Sequence, residues 1–295
     1  MAKYNIKDLE QITGIKAHTI RIWEKRYNLI HPNRTETNFR TYNDEQLKKL
    51  LNIAILNRSG LKISKIAELK QEAIAQKVAE YLNTDTNTVQ KIDSLLQPLM
   101  DLDEVDFIQK VDAFIAESGM ETAMTEIVYP FLHKVGSLWL SDSISPAQEH
   151  FVSNIIRQKI ISETDKFSYL SPNYKTFLLF LPEHEMHELS LLFSNYLIRK
   201  RGHKVIYLGQ FVPFADVQRV CKSHPNIDCI VSSFTAPFPD IDIQSYIDGL
   251  SKEGKGKTIV LSGFQLQHQP LKLPNNIKTF KKVNGFVKFL DNNLV

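Results

Sequence analysis

A strand, a short polar loop, an amphipathic helix and a second strand follow one another between Lys175 and Pro213, and no other stretch limits the fold as tightly. Residues 176–181 are an apolar run bounded by Pro172 and Pro182, which suits the interior of a parallel sheet. Glu183-His184-Glu185-Met186-His187 reads as a loop, after which Leu189, Leu192, Phe193, Tyr196 and Leu197 recur at helical spacing up to Gly202. Residues 205–208 supply the second strand, which Gly209 and Pro213 are expected to end. This is a βαβ unit with an imidazole in its first βα loop. In open α/β sheets that loop lies at the carboxyl end of a strand, where ligands bind.

The alternation continues downstream. Strand-like runs at 176–181, 204–208, 228–233, 257–261 and 277–280 are separated by helical stretches at 187–200, 214–223 and 241–252, with a last one at 284–293. This predicts a flavodoxin-like (Rossmann-type) α/β domain with a five-stranded parallel sheet over 171–295. No G-x-G-x-x-G or P-loop run is present to signal a nucleotide. His184, His203, His224 and His268 are scattered and read as surface residues. With no Ser/His/Asp set and no metal-ligand cluster, an enzyme is not expected. Cys221 and Cys229 are too few for a disulfide framework or a zinc site and fit a reducing compartment. No leader and no apolar run near the ~18 residues of a membrane span are seen, so a cytoplasmic protein without membrane contact is expected.

Charge divides the chain. Residues 1–70 hold 14 Lys and Arg against 7 Asp and Glu, whereas the whole chain carries only +3. A basic head before a mildly acidic body points to nucleic acid. Ile6, Leu9 and Ile12 form one apolar stripe ended by Gly14, and Ile15, Ile20 and Trp23 resume it in a second helix. Helix, Gly-containing turn, helix is the helix-turn-helix arrangement, here in an all-α winged head over 1–70. The second helix offers Lys16, His18, Thr19, Arg21, Lys25 and Arg26 to bases and phosphates, and Arg34 and Arg40 bracket a hairpin-like wing. Tyr4-Asn5-Ile6, Thr13-Gly14-Ile15, Thr19-Ile20-Arg21-Ile22-Trp23-Glu24, Phe39-Arg40-Thr41-Tyr42 and Leu61-Lys62-Ile63-Ser64-Lys65-Ile66 resemble the winged-helix DNA-binding domain of the MerR family. Trp23-Glu24-Lys25-Arg26-Tyr27 is similar to the branch that carries cobalamin-binding domains. The resemblance implies a homodimer or homotetramer on double-stranded promoter DNA, with Arg40 and Tyr42 touching phosphates.

Between the two domains, residues 75–168 sustain helical periodicity and predict a four-helix bundle. Its stripes are Ile74-Val78-Leu82, Ile92-Leu95-Leu96-Leu99, Phe107-Val111-Phe114 and Ile127-Phe131-Val135. Ser145-Pro146-Ala147-Gln148 marks a helix start that places Glu149 and His150 in its first turns. Taken alone, Trp139 is a core residue and Glu149-His150 a solvated pair. The spacing Trp-x9-Glu-His, however, resembles the light-sensing, adenosylcobalamin-dependent repressors of the CarH/LitR type. There it covers the upper face of the cofactor, with Trp against the adenosyl group.

In the sheet domain, Glu185-x-His187, Leu208-Gly209-x-x-x-Pro213, Ser233 and Ser262-Gly263 are similar to the cobalamin-binding signature. The resemblance implies His187 as a ligand of cobalt, Glu185 holding its ring, and Ser190, Gly209, Ser233, Ser262 and Gly263 beside the nucleotide tail. Ser190, Thr235 and Ser262 depart from the signature's Gly, Leu and Gly, and Leu140 stands where light sensors of this kind have a second His. Phe211 is a large residue in the loop near the tail path. Two readings follow from the residues. One is a DNA-binding repressor that senses cobalamin, and light through adenosylcobalamin. The other keeps the DNA-binding head on a degenerate, cofactor-free sheet domain used for oligomerisation or an antirepressor protein.

Overall fold

The computed structural model describes residues 4–34, 39–58, 60–84, 88–140, 144–236, 242–268 and 270–292. It divides into two compact units, Met1–Ile155 and Ile156–Val295.

The first unit opens with α1 (Ile6–Thr13), whose start is fixed by a capping box. The Asn5 side chain accepts from the backbone N–H of Lys7 and Asp8, and Asp8 returns the bond to Asn5 N at 2.7 Å. Gly14 ends it in the left-handed region, and α2 (Ala17–Tyr27) follows. Strands β1 (Asn33–Arg34) and β2 (Arg40–Thr41) pair antiparallel as the wing. Helices α3 (Asp44–Arg58), α4 (Ile63–Ala67) and α5 (Gln71–Thr84) complete the head, and α5 packs on α3. Leu9, Ile12, Ile20, Trp23, Leu47 and Leu50 form its interior, each nearly or wholly removed from water.

The bundle that follows is less regular than its apolar stripes predict. The stripe over 92–99 is split into α6 (Thr88–Ser94) and α7 (Leu96–Asp101), because Pro98 has no N–H for a continuous ladder and is tolerated only in a first turn. α8 (Glu104–Thr122) bends at Gly119, and a π-helical turn, Ala123–Val128, links it to α9 (Tyr129–Leu140). Phe107 and Phe131 meet in the interior with ring centroids 5.6 Å apart. α10 (Pro146–Asp165) starts where the Ser145/Gln148 cap predicts, with Gln148 Oε1 accepting from Ser145 N at 2.9 Å.

The second unit is the parallel sheet. Its elements are β3 (Thr176–Pro182), α11 (Leu189–Lys200), β4 (Lys204–Val212), α12 (Phe214–Ser223), β5 (Cys229–Ser233), α13 (Ile243–Glu253), β6 (Thr258–Ser262), α14 (Gln265–His268), β7 (Ile277–Thr279) and α15 (Val283–Asn292). All neighbours run parallel in the order β4-β3-β5-β6-β7. β3 is buried along its whole length. The chain leaves β3 toward β4 on one side and returns to β5 on the other, so the carboxyl ends of β3 and β5 flank the topological switch point.

Two expectations are corrected here. β4 does not stop at Leu208 but runs to Val212, because a bulge absorbs the break: Leu179 pairs with Tyr207 and Phe180 with Gly209. His203 is buried, not a surface residue. Its ring lies 5.5 Å from that of Phe177 and Nδ1 accepts from Lys175 N at 3.3 Å. Burial first, then the charges of Arg201 and Lys175, lowers its pKa. His184 and His224 are exposed as expected.

Candidate functional sites: a cationic helix face and an anchored imidazole

In the head, α2 turns Ile20 and Trp23 inward and leaves His18, Arg21, Lys25 and Arg26 in solvent. Thr19 is half-buried, and Arg34 stands exposed on the wing. Lys16 is exposed and pairs with Glu10 at 3.1 Å. The arrangement is a convex cationic face on a rigid helix, with a second cation on the hairpin beside it.

Tyr42 departs from its expected place. It is 1% exposed, bridges Tyr4 through the backbone, and gives its hydroxyl hydrogen to Glu24. Burial, then that carboxylate, raises its pKa. A residue so enclosed cannot reach a phosphate. Glu24 instead uses Tyr42 to fasten the wing to α2 and accepts from Arg40 Nε at 3.2 Å, so Arg40 is aimed by the same carboxylate.

The loop between β3 and α11 carries the second site. The Glu185 side chain is fully buried. One oxygen accepts from the His187 backbone N–H at 2.9 Å and meets His187 Nδ1 at 2.6 Å. The other accepts from Thr235 N at 2.6 Å and Ala236 N at 2.8 Å. A single carboxylate therefore ties the loop after β3 to the loop after β5, across the switch point. Burial works to raise its pKa, but the His187 ring and the backbone N–H groups of His187, Ala236 and Thr235 outweigh it and hold the group at about 2. With Nδ1–H given to this anion, the neutral ring carries its lone pair on Nε2, and the ring remains 62% exposed.

The rest of the loop is fixed by residues that sequence spacing does not single out. Glu188 accepts from Arg157 Nε at 2.8 Å and from the Tyr207 hydroxyl at 3.1 Å, and Gln210 Nε2 donates to Met186 O at 2.7 Å. Met186 and Phe264, on the loops after β3 and β6, and Phe211, near the end of β4, are all at least half exposed. Phe211 and His184 pack edge-to-face at 5.2 Å, each held at positive φ. Ser190 Oγ, in the first turn of α11, is buried without a hydrogen-bond partner.

The other expected tail residues divide. Gly209 lies at positive φ inside the β4 bulge. Ser233 is buried at the end of β5, its Oγ 3.5 Å from that of Thr235. Ser262 O accepts from Phe234 N at 2.8 Å. Gly263 has a local reason to be glycine, since a Cβ there would stand 2.3 Å from Phe234 O.

In the first unit, Trp139 is 49% exposed near the end of α9 and is not a core residue. Glu149, near the start of α10, accepts from Ser153 Oγ at 2.5 Å and meets His150 Nδ1 at 3.0 Å, and His150 is largely exposed. The Leu140 side chain lies outside the described structure. No helix among the described residues is long and apolar enough to cross a membrane, and they hold no group of three or more His, Cys, Asp or Glu placed for a metal ion.

Residues 4–73 match the MerR HTH family regulatory protein and residues 91–161 the B12 binding domain. The chain is similar to the HTH-type transcriptional repressor CarH of Myxococcus xanthus, 29% identical over 222 residues, 73% of this chain and 74% of that one. It is 27% identical over 218 residues to the repressor CarA of the same organism, covering 73% and 71%. Among solved structures, the monomethylamine corrinoid protein of Methanosarcina barkeri superposes with a TM-score of 0.52 at 12% identity, over 68% of this chain and 97% of that one, a likeness of fold.

Proposed function

For a MerR-type regulator that carries a B12-binding domain, we propose that cobalamin bound at His187 sets the affinity of the basic head for promoter DNA. One observation carries the cofactor half: an exposed imidazole whose ring is fixed by a wholly buried carboxylate at the switch point. Carboxylate–imidazole pairs of this kind orient metal ligands and raise their basicity.

The residues present fit a corrinoid. Met186, Phe211 and Phe264 are exposed apolar groups at the carboxyl ends of β3, β4 and β6, the ligand-binding end of the sheet. The orphan Ser190 Oγ is a buried polar atom that a polar group of the ligand would satisfy. Bound here, cobalamin would supply a metal centre that an imidazole can ligate and, in the adenosyl form, a light-sensitive Co–C bond. Toward it, His187 presents Nε2, Glu185 holds the ring and the loop, and Ser190 and Ser233 bound the tail path, with Gly209 leaving it room. Trp139, Glu149 and His150 are the proposed contacts to the adenosyl group. Gly263 favours the cofactor-free reading in one respect, because its missing side chain already serves Phe234.

In the head, His18, Arg21, Lys25, Arg26 and Arg34 contact DNA, with Lys16, Thr19 and Arg40 at the margins, and the protein binds as a homodimer or larger oligomer. Regulation, not catalysis, is the assigned activity. Protein incubated with adenosylcobalamin in darkness should leave gel filtration red, with about one corrinoid per chain. Colourless protein would exclude the sensor reading in favour of a cofactor-free module.

A further inference from the structure

The outward face of α2 has an apolar centre. Ile22 is 50% exposed. At 3.6 residues per turn it lies within roughly 60° of both His18 and Lys25 around the helix axis, with Arg21 and Arg26 on either side. Ile20, buried at 0%, lies on the opposite side, roughly 160° away, and Trp23, at 6%, lies roughly 100° round on the buried flank. A branched hydrocarbon therefore stands in water at the middle of a face whose surroundings are cationic. The cations select an anionic surface, and a recognition helix of this kind enters the major groove. Within that groove the apolar feature of the base edges is the C5-methyl group of thymine.

Resting on the DNA-binding reading above, we propose that Ile22 packs against a thymine methyl in each half-site and so specifies thymine at that position. Arg21 and Lys25 hold the helix to the duplex. Ile22 discriminates T from C, which lacks the methyl, by burying apolar surface and not by hydrogen bonding.

The test starts from an operator obtained by in-vitro selection with the full-length protein. Each thymine is replaced singly by deoxyuridine, which removes the methyl and leaves every hydrogen-bonding group. At one thymine per half-site the wild-type protein should lose ~4-fold in affinity, the worth of one buried methyl. Ile22→Ala should bind T and U duplexes equally at that position and still unfold cooperatively near the wild-type melting temperature, since the side chain is half exposed. Unchanged affinity at every thymine overturns the inference alone. So does a deoxyuridine penalty that persists undiminished in Ile22→Ala, which would assign the methyl to another residue. If the protein selects no DNA sequence, the DNA-binding reading fails and this inference with it.

Discussion

Replacing His187 with alanine should weaken binding of adenosylcobalamin by ~100-fold or more, the upper end of what loss of even an outer partner of a metal ligand costs. The fold should hardly notice. The ring is 62% exposed, and Glu185 keeps its three backbone donors from His187, Thr235 and Ala236 when the imidazole is gone. A titration followed by absorbance, alongside thermal unfolding of the unliganded protein, separates the two effects. Equal affinity in wild type and His187→Ala would remove the imidazole from the site. A large drop in unliganded stability would make it a structural residue.

Glu185→Ala should act in the opposite sense, on the fold before the ligand. It strips the acceptor from three backbone N–H groups at the junction of the β3 and β5 loops. At ~1–3 kcal/mol for each orphaned donor, with partial rescue by water, the loss is about 3–5 kcal/mol. The pH dependence carries a signature. The folded pKa, about 2, lies below the ordinary value of 4.5. A depressed carboxyl pKa stabilises the folded state fully above the unfolded value and loses that contribution as pH falls through the folded one. On the order of 3 kcal/mol, present at neutral pH, should therefore disappear between about pH 4.5 and 2. Urea unfolding of the second unit's signal across that window should show a steeper decline in wild type than in Glu185→Ala. Parallel curves would mean that the carboxylate does not hold the loops.

Much of this was legible in the chain. The apolar runs and their Gly and Pro boundaries located all five strands of the sheet, because a parallel interior admits few polar residues. The Glu185-x-His187 spacing anticipated the ring contact, since two residues in a loop cannot stray far apart. Tyr42 was misplaced because a tyrosine on a short wing can face either way, and only the 18-residue return from Glu24 decides it. His203 sits among polar neighbours in sequence, and its burial depends on Phe177, a strand away in the fold. The partners of Glu185 beyond its own loop lie 50 residues downstream, at Thr235 and Ala236. Such long-range pairings leave no local pattern. Ile22 was hidden for another reason: an isoleucine in an amphipathic helix reads as core until its place on the wheel is set against the buried Ile20 and Trp23.

Coupling between ligand and head has a bounded size. A ligand shifts DNA affinity only by the difference between its own affinities for the two states, typically 5- to 150-fold. If adenosyl packing favours an assembly that sets two heads on one operator, loss of that packing on illumination reduces avidity as the second head detaches.

Operator affinity measured at fixed salt for unliganded, dark-loaded and illuminated protein tests this coupling most directly, with His187→Ala run in parallel. Dark-loaded wild type should bind at least ~5-fold more tightly than unliganded protein, illumination should abolish the gain, and His187→Ala should show none of it. The same affinity in all three states, from a protein that does bind the corrinoid, would contradict a sensor that reports to the DNA-binding head.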